Sequence, residues 1–170
     1  AEVTMSIMQR QKLKKPELGY ATDFVQLIER ILPTIMEKNI KVIANAGGVN
    51  PEACRQALFA VAKKLGIKGL KIGVVYGDNI LPRISEMESQ QIPMKSMDTG
   101  ESLYDLMKQG CDILSANVYM SSLPLVEALQ KGAQIVVAGR TTDTGLAMAP
   151  MIYEFGWSFD DWNKLAAGTV

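Results

Sequence analysis

Short apolar, β-branched runs that stop at glycine or a polar turn alternate along this chain with windows whose apolar residues recur at helical spacing. This alternation constrains the fold more than any other property. Strands separated by a helix cannot pair as tight hairpins and instead join a parallel sheet through crossovers. The strand windows are residues 40–46, 70–76, 112–119 and 134–138. Their apolar content predicts burial on both faces, as in parallel sheets.

The helical windows carry their own start and stop signals. Residues 22–38 hold Phe24, Leu27, Ile28, Ile31, Ile35 and Met36 on a wide stripe, with Pro33 expected to kink it. Asn50 and Pro51 form an N-cap and first-turn pair for a helix presenting Cys54, Leu58 and Val61, and Gly66 ends it as a left-handed cap. Shorter helices are expected over residues 82–89, 102–109 and 122–131. Thr142 or Asp143 caps a last long helix reaching Phe155, and Ser158 with Asp161 resembles a capping box for a terminal one. The expected fold is therefore α/β, a layered, largely parallel, Rossmann-like sheet with helices on both faces. Residues 1–170 read as one α/β domain, and the absence of a starting Met and of a tail predicts an excised part of a longer protein.

Composition excludes whole mechanisms. The chain has no histidine, so imidazole bases, Ser-His and Cys-His pairs and His-ligated zinc cannot be assembled from it alone. Eighteen Lys+Arg balance 18 Asp+Glu, leaving no overall field to gather nucleic acid or an anionic membrane. The basic cluster Arg10, Lys12, Lys14 and Lys15 reads as a solvated helix end. Cys54 and Cys111 show no CxxC spacing and read as buried thiols of a reducing compartment. No apolar run reaches the ~20 residues of a membrane span, so a cytoplasmic location is expected, with neither nucleic acid nor membrane as partner.

In open parallel sheets ligands sit outside the carboxyl ends of the strands, which directs attention to four exit loops. The first carries Asn45, Gly47, Gly48 and Asn50, where paired glycines can aim amides at an anion or simply make a tight turn. The second carries Tyr76, Asp78 and Asn79, and the third Asn117 and Tyr119. The fourth carries Arg140, Thr141, Thr142 and Asp143. Arg140 can hold a carboxylate or phosphate in bidentate fashion, or pair with Asp78 or Asp143 structurally. Asp78 and Asp143 are the carboxylates expected at this edge and the candidates for general acid or base work. Met94, Met97, Met120, Met148 and Met151 are candidates for an apolar pocket wall, or for core filling. Asn45, Gly47, Gly48, Asn50, Asn79, Asn117, Arg140, Thr141 and Thr142 make up the expected ligand set. No metal is indicated, and the residues leave the identity of any cofactor open.

The segments Gly19-Tyr20-Ala21-Thr22-Asp23-Phe24, Asn45-Ala46-Gly47-Gly48-Val49-Asn50-Pro51, Gly139-Arg140-Thr141-Thr142-Asp143 and Glu154-Phe155-Gly156-Trp157, continuing to Gly168-Thr169, resemble the acyclic terpene utilisation (AtuA) family. The resemblance implies a longer parent protein in or beside acyl-CoA routes for branched acyclic terpenoids, with an acyl-CoA-like ester as ligand. It also implies that the remainder of the parent chain contributes to function. Many members carry His before Glu154-Phe155-Gly156-Trp157, where this chain has Tyr153, so a role for that histidine does not carry over. The competing readings are a non-catalytic interaction or homo-oligomerisation module, for which Phe155, Trp157 and Trp162 are the apolar candidates, and a dinucleotide oxidoreductase, which lacks its GxGxxG fingerprint.

Overall fold

In the computed structural model residues 2–169 are described, and they form a mixed helix and strand protein. The helices are α1 (Glu2–Lys14), α2 (Thr22–Glu37), α3 (Pro51–Lys64), α4 (Ile84–Ser89), α5 (Leu103–Lys108), α6 (Leu123–Gln130), α7 (Asp143–Phe155) and α8 (Trp162–Ala167). A 3-10 turn, Leu81–Arg83, precedes α4. The strands are β1 (Val42–Ala44), β2 (Ile72–Val75) and β3 (Ile135–Ala138). They form one parallel sheet in the order β1-β3-β2, with Val42 and Ile72 both in register with Ile135.

The last strand in sequence is thus the centre of the sheet. All four residues of β3 are buried, whereas β1 is half-buried throughout because it forms an edge. Successive side chains of β3 point to opposite sides. Ile135 and Val137 join Ile28, Leu32 and Ile35 of α2 and Cys54 and Leu58 of α3 in one apolar cluster. Val136 and Ala138 join Leu125, Val126 and Leu129 of α6 and Ala149 and Ile152 of α7 in another.

Several local signals act as expected. Pro51 opens α3, and Gly66 follows it with φ +67°, closed by Ile67 N–H donating to Ala62 O at 2.9 Å. Gly132 and Gly156 take left-handed conformations after α6 and α7. Pro33 lies inside an α2 that runs without interruption to Glu37.

Four expectations are corrected. Residues 112–119 do not form a strand: among the described residues they make one isolated bridge, Asn117 with Asn79, and a second, Met120 with Thr141, follows just beyond them. β1 and β2 flank β3, residues 112–119 pair along neither of these outer strands, and Leu114, Val118 and Tyr119 stay exposed. Cys111 is exposed, while Cys54 is buried as expected, and burial pushes its thiol up to about 12. The N-cap of α8 is Asp161, whose carboxylate accepts from Lys164 N–H, instead of Ser158. Asn50 stands before α3 without capping it through its side chain, for a tertiary reason given below. Among the described residues no helix is long and apolar enough to cross a membrane.

Candidate functional site

The β1 exit leads into α3 of the first cluster, and the neighbouring β3 exit leads into α7 of the second. Adjacent parallel strands that send the chain to opposite faces open a crevice at their carboxyl ends. A cavity of about 330 Å³ lies there. Ala44, Asn45 and Ala46 line it from β1, and Gly139 and Arg140 from β3. Ala21 and Phe24 at the start of α2, with Thr4, Met5 and Met8 of α1, complete the wall. Met5 and Met8 are three residues apart on α1 and so share a face. Lys12, one turn further, fastens α1 by donating from Nζ to Val49 O at 2.8 Å.

The glycines of the β1 exit serve packing. Gly47 N–H donates to Ala138 O at 3.0 Å, and a Cβ there would stand 2.6 Å from that oxygen. Gly48 has φ +52°, and the Met8 thioether occupies the place a Cβ would take. The amides of Gly48, Val49 and Asn50 donate to Asn45 O, Gly19 O and Gly47 O. In this arrangement the loop uses its amides on the protein itself. The Asn50 side chain donates from Nδ2 to Pro16 O at 2.9 Å and Leu18 O at 2.8 Å, binding the α1–α2 connection.

Asp78 links the second and fourth exits. It is only 3% exposed, and its Oδ2 accepts from Arg140 N–H at 2.8 Å and from Asn117 Nδ2 at 2.8 Å. Gly139 makes room for it, since a Cβ at that position would overlap the carboxylate. The segment around Asn117 is threaded between the two exits, with Val118 N–H donating to Asp78 O and Met120 N–H to Arg140 O. Asn79 Oδ1 accepts from Leu81 N–H and shapes the 3-10 turn. Gly48, Tyr76, Asp78, Asn79 and Asn117 line a second, smaller cavity of about 250 Å³.

The Arg140 side chain is nearly buried. Its guanidinium lies 4.2 Å over the Tyr119 ring, and Nη1 donates to Asp143 Oδ1 at 3.2 Å, although the Asp143 side chain is 77% exposed. Thr141 is fully buried, and its Oγ1 has no hydrogen-bond partner among the described residues. Thr142 occupies the N-cap position of α7 without a side-chain cap bond, and Asp143 begins the helix.

The expected residues are therefore divided. Asn45 and Arg140 meet in the larger cavity, and Gly48, Asp78, Asn79 and Asn117 meet in the smaller. Gly47, Asn50, Thr141, Thr142 and Asp143 line neither. The methionines of the larger wall are Met5 and Met8. Of those expected, Met120 and Met148 pack on the second apolar cluster and Met97 is exposed. The signal for α2 was its apolar stripe beginning at Phe24, whereas the strand-end pattern does not point to α1. Among the described residues no group of three or more Cys, Asp or Glu is placed to hold a metal ion.

The chain is an α/β protein with a small parallel sheet and a crevice between oppositely directed exit loops. The family described as acyclic terpene utilisation family protein AtuA matches residues 1–170, and the chain belongs to it. No curated protein and no solved structure shows a significant match.

Proposed function

We propose that this chain serves terpenoid utilisation by binding the acyl portion of a branched, acyclic carboxylic acid or its acyl-CoA ester in the larger strand-exit cavity. The observation that carries this reading is the composition of that wall. Met5, Met8, Phe24, Ala44 and Ala46 offer apolar surface, while Arg140 and Asn45 supply polar groups at one margin. Small-ligand clefts have this plan, and ~300–1,000 Å³ is their usual size. Arg140 orients the carbonyl or carboxylate end, held in place by Tyr119 and Asp143. Asp78 acts as a positioning residue, fixing the Arg140 main chain. The reading is consistent with a layered, Rossmann-like core and a cytoplasmic site of action.

Thermal shift of the protein against branched acyl-CoA esters, with straight-chain esters and free CoA as controls, tests this. A ligand at 100 times its Kd adds about 2.7 kcal/mol, roughly 5–10 °C for a chain of this size. Arg140→Lys and the cavity-filling Met5→Trp should each reduce the shift. No shift with any branched ester, or a shift indifferent to both substitutions, refutes the reading.

A second reading, an interaction module, is favoured by Phe155 and Trp162, which are 70% and 75% exposed at the end of α7 and the start of α8. Unchanged partner capture after truncation at Gly156 would count against it.

A further inference from the structure

In the order β1-β3-β2 the strand β2 has, among the described residues, a sheet neighbour on one side alone. The carbonyls of Lys71 and Val75 point toward β3, where they accept from Gln134, Ile135 and Gly139. Main-chain groups alternate in direction along a strand, so the amides and carbonyls of Ile72 and Val74 face outward. An open groove of about 410 Å³ runs along them, floored by β2 and walled by α6. Gly73 lets α6 lie close over the strand, since a Cβ there would stand 3.0 Å from Ala128 Cβ and 3.1 Å from Ala133 Cβ. Pro124, Glu127, Ala128 and Lys131 border the groove at the i, i+3, i+4, i+7 spacing of one helix face.

We propose that this edge is a dimerisation surface whose occupant is β2 of a second copy of the chain. A two-fold axis normal to the sheet and passing by Gly73 sets Ile72 opposite Val74 of the second copy. The strands are then antiparallel, their outward amides and carbonyls satisfy one another, and two three-stranded sheets become one of six strands. The charges on α6 select this occupant. Under the same axis the two α6 helices run antiparallel on one face, and Glu127 of each meets Lys131 of the other. Both side chains border the groove, and they pair with each other at 2.6 Å within one chain. A wall bearing one acid and one base a helical turn apart is self-complementary under a two-fold, as an isologous interface requires. Ala128, between Glu127 and Lys131, is small enough for the helices to approach.

Sedimentation velocity on the whole chain across the micromolar range tests the proposal. A concentration-dependent monomer–dimer equilibrium that weakens with salt is expected. Val74→Pro deletes an outward N–H without removing a bond to β3, and it should weaken the dimer by about tenfold or more. Lys131→Glu sets like charges across the axis and should do the same, while the reversed pair Glu127→Lys with Lys131→Glu should regain the wild-type affinity. Far-UV circular dichroism controls for folding, and should Val74→Pro unfold the chain the charge pair decides alone. A monomer throughout the range overturns the proposal. So does a dimer that is indifferent to Lys131→Glu, or one that the reversed pair fails to restore.

Discussion

Gly139→Ala is the sharpest probe of the exit edge. The new methyl group falls on the Asp78 carboxylate, which is seated by two hydrogen bonds of 2.8 Å in a buried position. Either the carboxylate moves and gives up at least one bond to a buried charge, at about 1.5–3 kcal/mol each, or the backbone moves at about 1–3 kcal/mol. The expected loss is about 3 kcal/mol, or roughly 6–12 °C in Tm for a chain of this length. Asp78→Ala alone should cost about 3–5 kcal/mol, because Arg140 N–H and the Asn117 amide lose their acceptor. In the double variant the methyl enters space the carboxylate has vacated, so its cost should stay near that of Asp78→Ala alone, about 2–3 kcal/mol short of the sum. Urea unfolding followed by far-UV circular dichroism measures all three. If Gly139→Ala unfolds within ~0.5 kcal/mol of wild type, or if the two substitutions add within ~0.5 kcal/mol, the overlap of methyl and carboxylate is refuted.

Two other predictions address the surroundings of the cavity. Asn50→Ala removes both bonds to the Pro16–Leu18 carbonyls, and a loss of about 1–2 kcal/mol is expected. Hydrogen exchange should show faster opening of α1, and unchanged exchange there would contradict the clamp. The Cys54 thiol, raised to about 12 by burial, stays protonated in the folded chain while an unfolded thiol ionises near 9. The unfolded state therefore binds fewer protons than the folded one above pH 9, and stability should fall as pH rises from about 9 toward 12. Cys54→Ala should remove that slope. In the native protein a disulfide-exchange reagent should label one thiol, Cys111, and two after denaturation.

Local chemistry made much of the fold legible. Pro51 and Gly66 bound α3 because a fixed φ and a left-handed cap are properties of those residues alone. The strand Ile135–Ala138 was visible as an unbroken apolar run, but nothing in that run set its place in the sheet apart from the windows that became the edge strands β1 and β2. Residues 112–119 have a similar apolar share, yet Ser115 and Asn117 interrupt it, and which strand pairs with which is decided by the whole sheet. In the site, Asn45 and Arg140 could be read from the strand ends. Met5, Met8 and Phe24 could not, because they precede β1 and reach its carboxyl end only through tertiary contacts such as Ala21 N–H to Ala46 O at 2.8 Å. Asn50 shows why a cap signal can mislead. Its side chain prefers the carbonyls of Pro16 and Leu18, which lie more than thirty positions earlier, over the amides beside it.

The Asp78 carboxylate has a consequence for the order of assembly. Its two partners lie 39 and 62 positions further along the chain. Contacts of such separation must repay a large loop-closure entropy, so they form after local helices such as α3. On a ribosome adding about 5–20 residues per second, roughly 3–12 s pass between the synthesis of Asp78 and that of Arg140. During that interval β1 and β2 have no central strand between them, and the carboxylate keeps its water. The strand-exit edge is thus completed late, only when β3 joins the β1 and β2 segments into one sheet.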